Sequence, residues 1–273
     1  ESIIVLLSRC RKMETPVILE KRRQAIMDEI AKEVIPRYVY KYMSCRSIFQ
    51  VLANDSIKFS NSTDFNDPFD GKAYIEYDFP DDWIIDYFKL HSLSDSQKEI
   101  VINKKRSDSD EMQKLSDYFF RKCDRSIAIS CFSKTGDNVP MWAHYSDNNR
   151  GVCLKFDITK DVKFFHSVYP VDYQEKSVSY RFSAAEDHIL KQYTTKGKCW
   201  ESEQEIRVIK SHTQAGLIKF NKASLIEIAF GCCCTEENKK SLKQRLRQYK
   251  YENVKLSSVV IAKDYQLNWV DER

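Results

Sequence analysis

Glycine and proline are scarce, with 6 of each in 273 residues. That excludes a collagen-like repeat and a Pro/Gly-rich disordered chain. No apolar run approaches the roughly 20 residues that span a bilayer, so no membrane contact is expected. The run Ile3-Ile4-Val5-Leu6-Leu7 is shorter than the roughly 7–15 residues of a signal-peptide core, and no small-residue cleavage site follows it. No Cys-x-x-Cys pair exists to hold zinc. The 9 cysteines, three of them adjacent at Cys232-Cys233-Cys234, read as reduced, buried thiols in a cytoplasmic protein without a metal, with a redox or metal role for the triplet as the lesser alternative. The chain also lacks a P-loop, a dinucleotide glycine motif, a His-Glu-x-x-His and a Gly-x-Ser-x-Gly. Those absences remove the common nucleotide-hydrolase, zinc-protease and serine-hydrolase readings. No internal repeat is found.

What is present is an ordinary globular composition, 42% hydrophobic and 31% charged, with 15 Tyr and 15 Phe suited to strands and ring stacking. The net charge of +4 is unevenly distributed. Residues 54–112 hold 14 acidic and 7 basic side chains, a net of −7, whereas residues 238–263 hold 8 basic and 1 acidic, a net of +7. The basic stretch is either a solvated helix face or a nucleic-acid contact. Pro16 to Ile35 reads as a helix ended by Pro36, forming an extension over residues 1–37 that packs outside the main domain. Residues 38–273 form one α+β domain with mainly antiparallel sheets, carrying a helical insertion at about 80–123. Ser94 and Gln97 have capping-box spacing, and a break is expected across Lys104 to Glu111. Alternation predicts strands at 38–43, 57–60, 126–133, 152–157, 225–231 and 256–262, and an extended pair between Val162 and Tyr173. Ser183 to Tyr193 reads as a helix.

The stretch Trp200-Glu201-Ser202-Glu203-Gln204-Glu205-Ile206-Arg207 organises the rest. Read as a strand, it puts Glu203, Glu205 and Arg207 on one face, with Ile206 and Val208 toward a core. Neighbouring carboxylates repel unless cations compensate or a site uses one raised and one lowered pKa. The same pattern is also compatible with a solvated strand face. Asn66-Asp67-Pro68 is a turn signal, read either as a turn stapled by Phe65 and Phe69 or as a substrate loop using Asn66 and Asp67. His144, between Trp142 and Tyr145, is either a structural histidine or a site residue. A Cys131–His144 nucleophilic pair is conceivable, and so is a core thiol at Cys131.

Several motifs in order carry a resemblance. They are Tyr40-Lys41-Tyr42, Phe65-Asn66-Asp67-Pro68-Phe69-Asp70, Ile129-Ser130-Cys131-Phe132-Ser133, Met141-Trp142-Ala143-His144-Tyr145 with Gly151-Val152-Cys153-Leu154, and Trp200 through Arg207. Together they resemble a bacterial family known as domain of unknown function 2971. More loosely, the layout resembles the ADP-ribosyltransferase superfamily. That second resemblance implies an ADP-ribosyltransferase-like core and NAD as the substrate that supplies the group transferred. It implies an aromatic on an early strand (Tyr40 or Tyr42), a serine on a middle strand (Ser130 or Ser133) and a glutamate on a late strand (Glu205, with Glu203 assisting at the acceptor side). Trp142, His144 and Tyr145 would line the cleft with them, and Arg150 or Arg207 would hold the diphosphate.

The function expected is that of an NAD-dependent ADP-ribosyltransferase or NAD-consuming effector. It would act on a protein or nucleic-acid acceptor in a toxin or phage-defence setting, with an antitoxin or defence-system partner. The alternatives are a non-enzymatic nucleic-acid-binding or sensor module using Lys239, Lys243 and Arg247, and a metal-dependent nuclease using Asp67, Asp70 and the glutamates.

Overall fold

The computed structural model describes residues 16–71, 74–76, 79–176, 179–181, 186–211 and 213–272, so the apolar run at 3–7 and residues 183–185 of the helix expected from Ser183 lie outside it. In chain order come α1 (Pro16–Ala31), β1 (Tyr38–Met43), α2 (Cys45–Asn54) and β2 (Ser56–Phe59). β3 (Tyr74–Glu76) precedes three helices, α3 (Asp81–Phe88), α4 (Asp95–Arg106) and α5 (Ser109–Asp124). Next are β4 (Ile127–Ser133), α6 (Val139–Tyr145), β5 (Val152–Asp157), the single turn α7 (Val162–Phe165), β6 (Val168–Pro170), β7 (Asp172–Gln174) and β8 (Ser179–Arg181). The chain continues with α8 (Glu186–Thr194), β9 (Thr195–Gly197), β10 (Glu205–Ser211), β11 (Gly216–Lys219), β12 (Leu225–Phe230), α9 (Glu236–Gln248), β13 (Lys255–Ile261) and β14 (Leu267–Asp271).

The architecture is α+β, as the sequence predicts. Its centre is a mixed sheet of eight strands in the order β14-β13-β12-β5-β1-β4-β10-β6. Within it, β12 and β13 run parallel and the other neighbours antiparallel. Period-two alternation sorts its side chains. One face carries Val39, Phe132, Leu154, Phe156, Ile206, Val208 and Ile228. They join residues of α2 and α9 in the main core, which also includes Ile26. The helix α1, expected to pack outside the main domain, thus lays Ile26 (4% exposed) into that core.

The other face is polar through its middle. Directly opposed residues of paired strands share a face. The register aligns Glu205 with Ser133, Ser133 with Tyr40, Tyr40 with Lys155, Lys155 with Glu227, and Glu227 with Lys255. One polar row therefore crosses six strands. A small aromatic cluster of Tyr42, Trp142, Cys153, Ala229 and Val259 closes this face near α6.

The insertion α3–α5 builds its own core from Phe79, Trp83, Ile84, Ile102, Met112 and Leu115. The capping box of Ser94 and Gln97 is present, and the break after α4 is confined to Ser107 and Asp108. Three expectations are corrected. α1 ends at Ala31, ahead of Ile35, and Glu33 already has positive φ. Val162–Phe165 is helical because the Asp161 carboxylate caps the Phe164 amide. The strand expected at 256–262 is not the last, since β14 follows it and pairs with β13.

Candidate functional site

The strand β10 begins at Glu205, two residues after the Glu203 that the alternation places on it. Lys198–Glu203 is a 3₁₀ segment, and Gln204, with φ 47°, turns the chain into the strand. Glu203 is therefore not on β10. The left-handed turn nonetheless returns its carboxylate to the side occupied by Glu205, and a lysine joins the two.

That lysine is Lys196 of β9. Its Nζ lies 2.5 Å from Glu203 Oε2, 3.1 Å from Glu205 Oε2 and 3.9 Å from Asp70 Oδ2. Arg207, fully buried, donates Nε to Glu205 Oε1 (2.8 Å) and Nη2 to Glu205 Oε2 (3.0 Å). Its Nη1 and Nη2 hold Asp70 Oδ1 (2.8 Å) and Oδ2 (2.5 Å), and Nη1 also reaches the Tyr193 carbonyl. Three carboxylates thus face two cations, an excess of one negative charge. Burial alone makes such charges costly, and pairing offsets the cost. Burial opposes ionisation of Glu205, but Arg207 and Lys196 outweigh it and hold its pKa down at about 2. Asp70 goes the other way, because burial outweighs its pairing with Arg207 and raises it. Burial would lower Lys196, yet Glu205 and Glu203 raise it.

Toward the surface the network continues through Tyr145. Its hydroxyl donates to Glu203 Oε1 (2.6 Å) and accepts from Asn66 Nδ2 (3.3 Å). Burial and the Glu203 carboxylate raise the Tyr145 pKa, so the phenol stays protonated. The Tyr173 hydroxyl accepts from the Glu205 amide (2.8 Å), and burial pushes its pKa up to about 12. The Lys196 ammonium lies 4.9 Å from the centre of the Trp200 ring.

The loop between β4 and α6 is pinned over this face. The Gly136 carbonyl accepts from both Trp142 Nε1 (2.8 Å) and Trp269 Nε1 (3.0 Å). A side chain at Gly136 would overlap the rings of Trp269 and Tyr40, so the close approach requires glycine. The Tyr42 hydroxyl donates to the Thr135 carbonyl, and Asn138 Nδ2 donates to the Ser202 carbonyl, tying the loop to the 3₁₀ segment.

Of the residues singled out in the sequence, the structure brings together Glu203, Glu205, Arg207, Tyr145 and Asn66. Ser133 and Tyr40 stand in the same row as Glu205, although Ser133 Oγ is spent on the Glu203 carbonyl (2.8 Å). Others are corrected. Ser130 pairs with Val208 and faces the apolar core, because it lies an odd number of residues from Ser133. Among the described residues its buried Oγ has no hydrogen-bond partner. Trp142 (0% exposed) and Tyr42 (7%) are packed edge to face at 5.2 Å in the aromatic cluster and line no open cleft. Every donor of Arg207 is taken by Glu205, Asp70 and Tyr193, so it is not free to hold a diphosphate.

Arg150 is exposed in the turn after α6, where its carbonyl accepts from Cys45 Sγ, away from the carboxylates. His144 is exposed, and among the described residues no hydrogen bond joins it to Cys131, whose thiol is raised by burial. Asp67 bonds the Phe69 amide as a turn residue, and Phe69 is 74% exposed and staples nothing. For a nuclease, Asp70 is bound by Arg207, and among the described residues no three of His, Cys, Asp and Glu are placed to hold a metal. For a nucleic-acid face, Lys239 and Lys243 are both bridged to Glu272.

Sequence reasoning missed Lys196, the shared role of Asp70, and Tyr173. Lys196-Gly197 reads only as the end of a helix, and nothing local marks a buried ammonium there. Asp70, three residues after Asp67 in the same turn motif, was the one visible signal.

Among the described residues no helix is long and apolar enough to cross a membrane. No curated protein and no solved structure matches this chain. Residues 141–208, which carry Tyr145, Lys196, Glu203, Glu205 and Arg207, match the family described as Protein of unknown function (DUF2971).

Proposed function

We propose that this protein is an NAD-dependent ADP-ribosyltransferase acting on a protein or nucleic-acid acceptor. One observation carries the reading. Tyr40, Ser133 and Glu205 stand opposite one another on the adjacent strands β1, β4 and β10, in the aromatic–serine–glutamate order of the ADP-ribosyltransferase resemblance. They come from distant parts of the chain and meet on one face of the sheet.

The chemistry assigned to the cluster follows from its charge. When the bond between nicotinamide and the ribose C1′ breaks, its electron pair leaves with the nicotinamide nitrogen and C1′ becomes electron-poor. A fixed negative charge beside that carbon stabilises the transition state. Glu205, ionised at any working pH and clamped by Arg207 and Lys196, is such a charge. Glu203 has a different role. Its partners are Lys196 and the neutral Tyr145 hydroxyl, and it takes the proton released when the acceptor's nucleophile bonds to C1′. Tyr145 and Asn66 orient that carboxylate from the surface side.

Incubation with NAD and mixtures of proteins, RNA and DNA tests the reading by release of nicotinamide. Glu203→Gln and Tyr145→Phe are expected to lower the rate by about 10²-fold or more, with melting measured alongside because Glu203 is buried against Lys196. Glu205→Gln is expected to abolish release, with melting measured alongside because that carboxylate is buried. Absence of nicotinamide release with every acceptor class rejects the assignment.

A further inference from the structure

A second chemical feature lies on another part of the molecule and does not depend on the reading above. Cys45 and Cys234 are 189 positions apart in the chain, and their sulfurs are 3.9 Å apart. Cys45 is the first residue of α2, directly after the capping Ser44. Cys234 directly precedes Thr235, which caps α9 by accepting from the Asn238 amide. The N-terminal ends of two helices therefore converge on one pair of thiols. α2 and α9 pack together in the main core, so the pair is held from both sides. Unpaired amides and the aligned peptide dipoles at a helix start favour a thiolate.

The pair is set apart from the other described cysteines. Cys131 and Cys153 have thiols raised by burial within the sheet. Cys199, Cys232 and Cys233 are exposed; the Cys232 and Cys233 sulfurs are also 3.9 Å apart, but they belong to adjacent residues and lie outside the junction of the two helices. Cys45 is 8% exposed, and its Sγ contacts the Cys234 sulfur and the Arg150 carbonyl (3.5 Å). Cys234 is partly exposed and opens the pair to solvent. The hydrogen bond between the sulfurs lowers the Cys45 thiol and raises the Cys234 thiol, so one sulfur is the better nucleophile and the other keeps its proton.

We propose that Cys45 and Cys234 form a site of reversible oxidative modification that hydroperoxides convert to a disulfide. The Cys45 thiolate attacks the peroxide oxygen, the O–O bond breaks, and a sulfenic acid forms at Cys45 while the leaving oxygen departs as an alkoxide or hydroxide that takes up a proton. The Cys234 sulfur then attacks the Cys45 sulfur. The S–O bond breaks, the thiol proton and the hydroxyl leave together as water, and the S–S bond closes. Two thiols are oxidised and one hydroperoxide is reduced. The sulfurs must approach from 3.9 Å to a bond length of about 2 Å. A thiol reductant reverses the change.

Hydrogen peroxide added to the folded, reduced protein at neutral pH provides the test. The expected result is the loss of two free thiols and one cross-linked peptide pair containing Cys45 and Cys234, both reversed by dithiothreitol. Cys45→Ser and Cys234→Ser should each remove that cross-link, and Cys232→Ser and Cys233→Ser should leave it intact. Protein unfolded in urea before the peroxide is added should give mixed pairings. A disulfide between Cys232 and Cys233, over-oxidation without any bond, or no loss of thiols would overturn the proposal. Because either serine variant replaces a small side chain, its melting temperature identifies any loss that comes from misfolding.

Discussion

Lys196 is the residue on which the carboxylate cluster depends. It is buried, and its ammonium is shared by Glu203 and Glu205. Lys196→Met keeps much of the volume and removes the charge, leaving three carboxylates against Arg207 alone. Removing one partner of a buried ion pair costs about 3–5 kcal/mol, and urea titration of the variant should show a loss of that order. Ser130 offers the opposite case. Its hydroxyl is buried on the apolar face without a hydrogen-bond partner among the described residues. An unsatisfied buried polar atom costs roughly 1–3 kcal/mol, so Ser130→Ala should leave stability unchanged or raise it by about 1 kcal/mol in the same titration. A marked loss would show that the hydroxyl has a partner. Ser130 and Ser133, three positions apart on β4, thus have unrelated roles because a strand reverses its side chains at every step.

At the scale of elements, the first helix decides where the domain begins. α1 is mostly exposed, and its described contact with the main core runs through Ile26, with Ile30 packed beside it. Ile26→Ala leaves a hole in that core. Such truncations cost about 2–5 kcal/mol when the helix is part of the cooperative unit. A single unfolding transition shifted by that amount is the expected outcome. A variant that unfolds with the parent midpoint would mean that α1 is an independent appendage. The insertion α3–α5 is a separate case, since its residues close a core of their own beside the sheet. The capping box at Ser94 and the cap at Thr235 were legible because capping is local chemistry, decided within four residues. The one-turn α7 and the strand β14 were not, because α7 is held by Asp161 and β14 by pairing with β13.

For the whole molecule, the cluster sets the response to pH. Glu205 has a folded pKa of about 2 against an ordinary 4.5. A depressed carboxylate contributes stability that is complete above its ordinary value and is lost as pH falls through the folded value. Asp157, lowered through its pairing with Arg37 although burial opposes this, acts in the same direction. Asp70, raised by burial, acts in the opposite direction, so its protonation in acid recovers part of the loss. Lys196 is raised above its ordinary 10.5, so its contribution persists below that value and fades only in stronger base. The Glu205 contribution to stability should therefore be lost between pH 4.5 and 2, and the Lys196 contribution should hold up to about pH 10. Urea midpoints across that range test this. Glu205→Gln should flatten the acid limb, and an unchanged limb would mean that other carboxylates govern it.

What the amino-acid sequence determined by itself was the short-range part. Hydrophobic periodicity specified most of the strands of the central sheet and the buried side of Ile206 and Val208, and side-chain caps specified where several helices start. It also marked Glu203, Glu205 and Arg207 as a group, since they lie within five positions. Only the tertiary structure decided which groups meet them. Asp70 and Tyr145 come from far upstream, Lys196 from a short strand with no local signal, and the row Glu205–Ser133–Tyr40–Lys155–Glu227–Lys255 from the register of six strands. The physical reason is that propensity and capping act within a few residues, whereas charge pairing and register depend on which distant segments the core brings into contact.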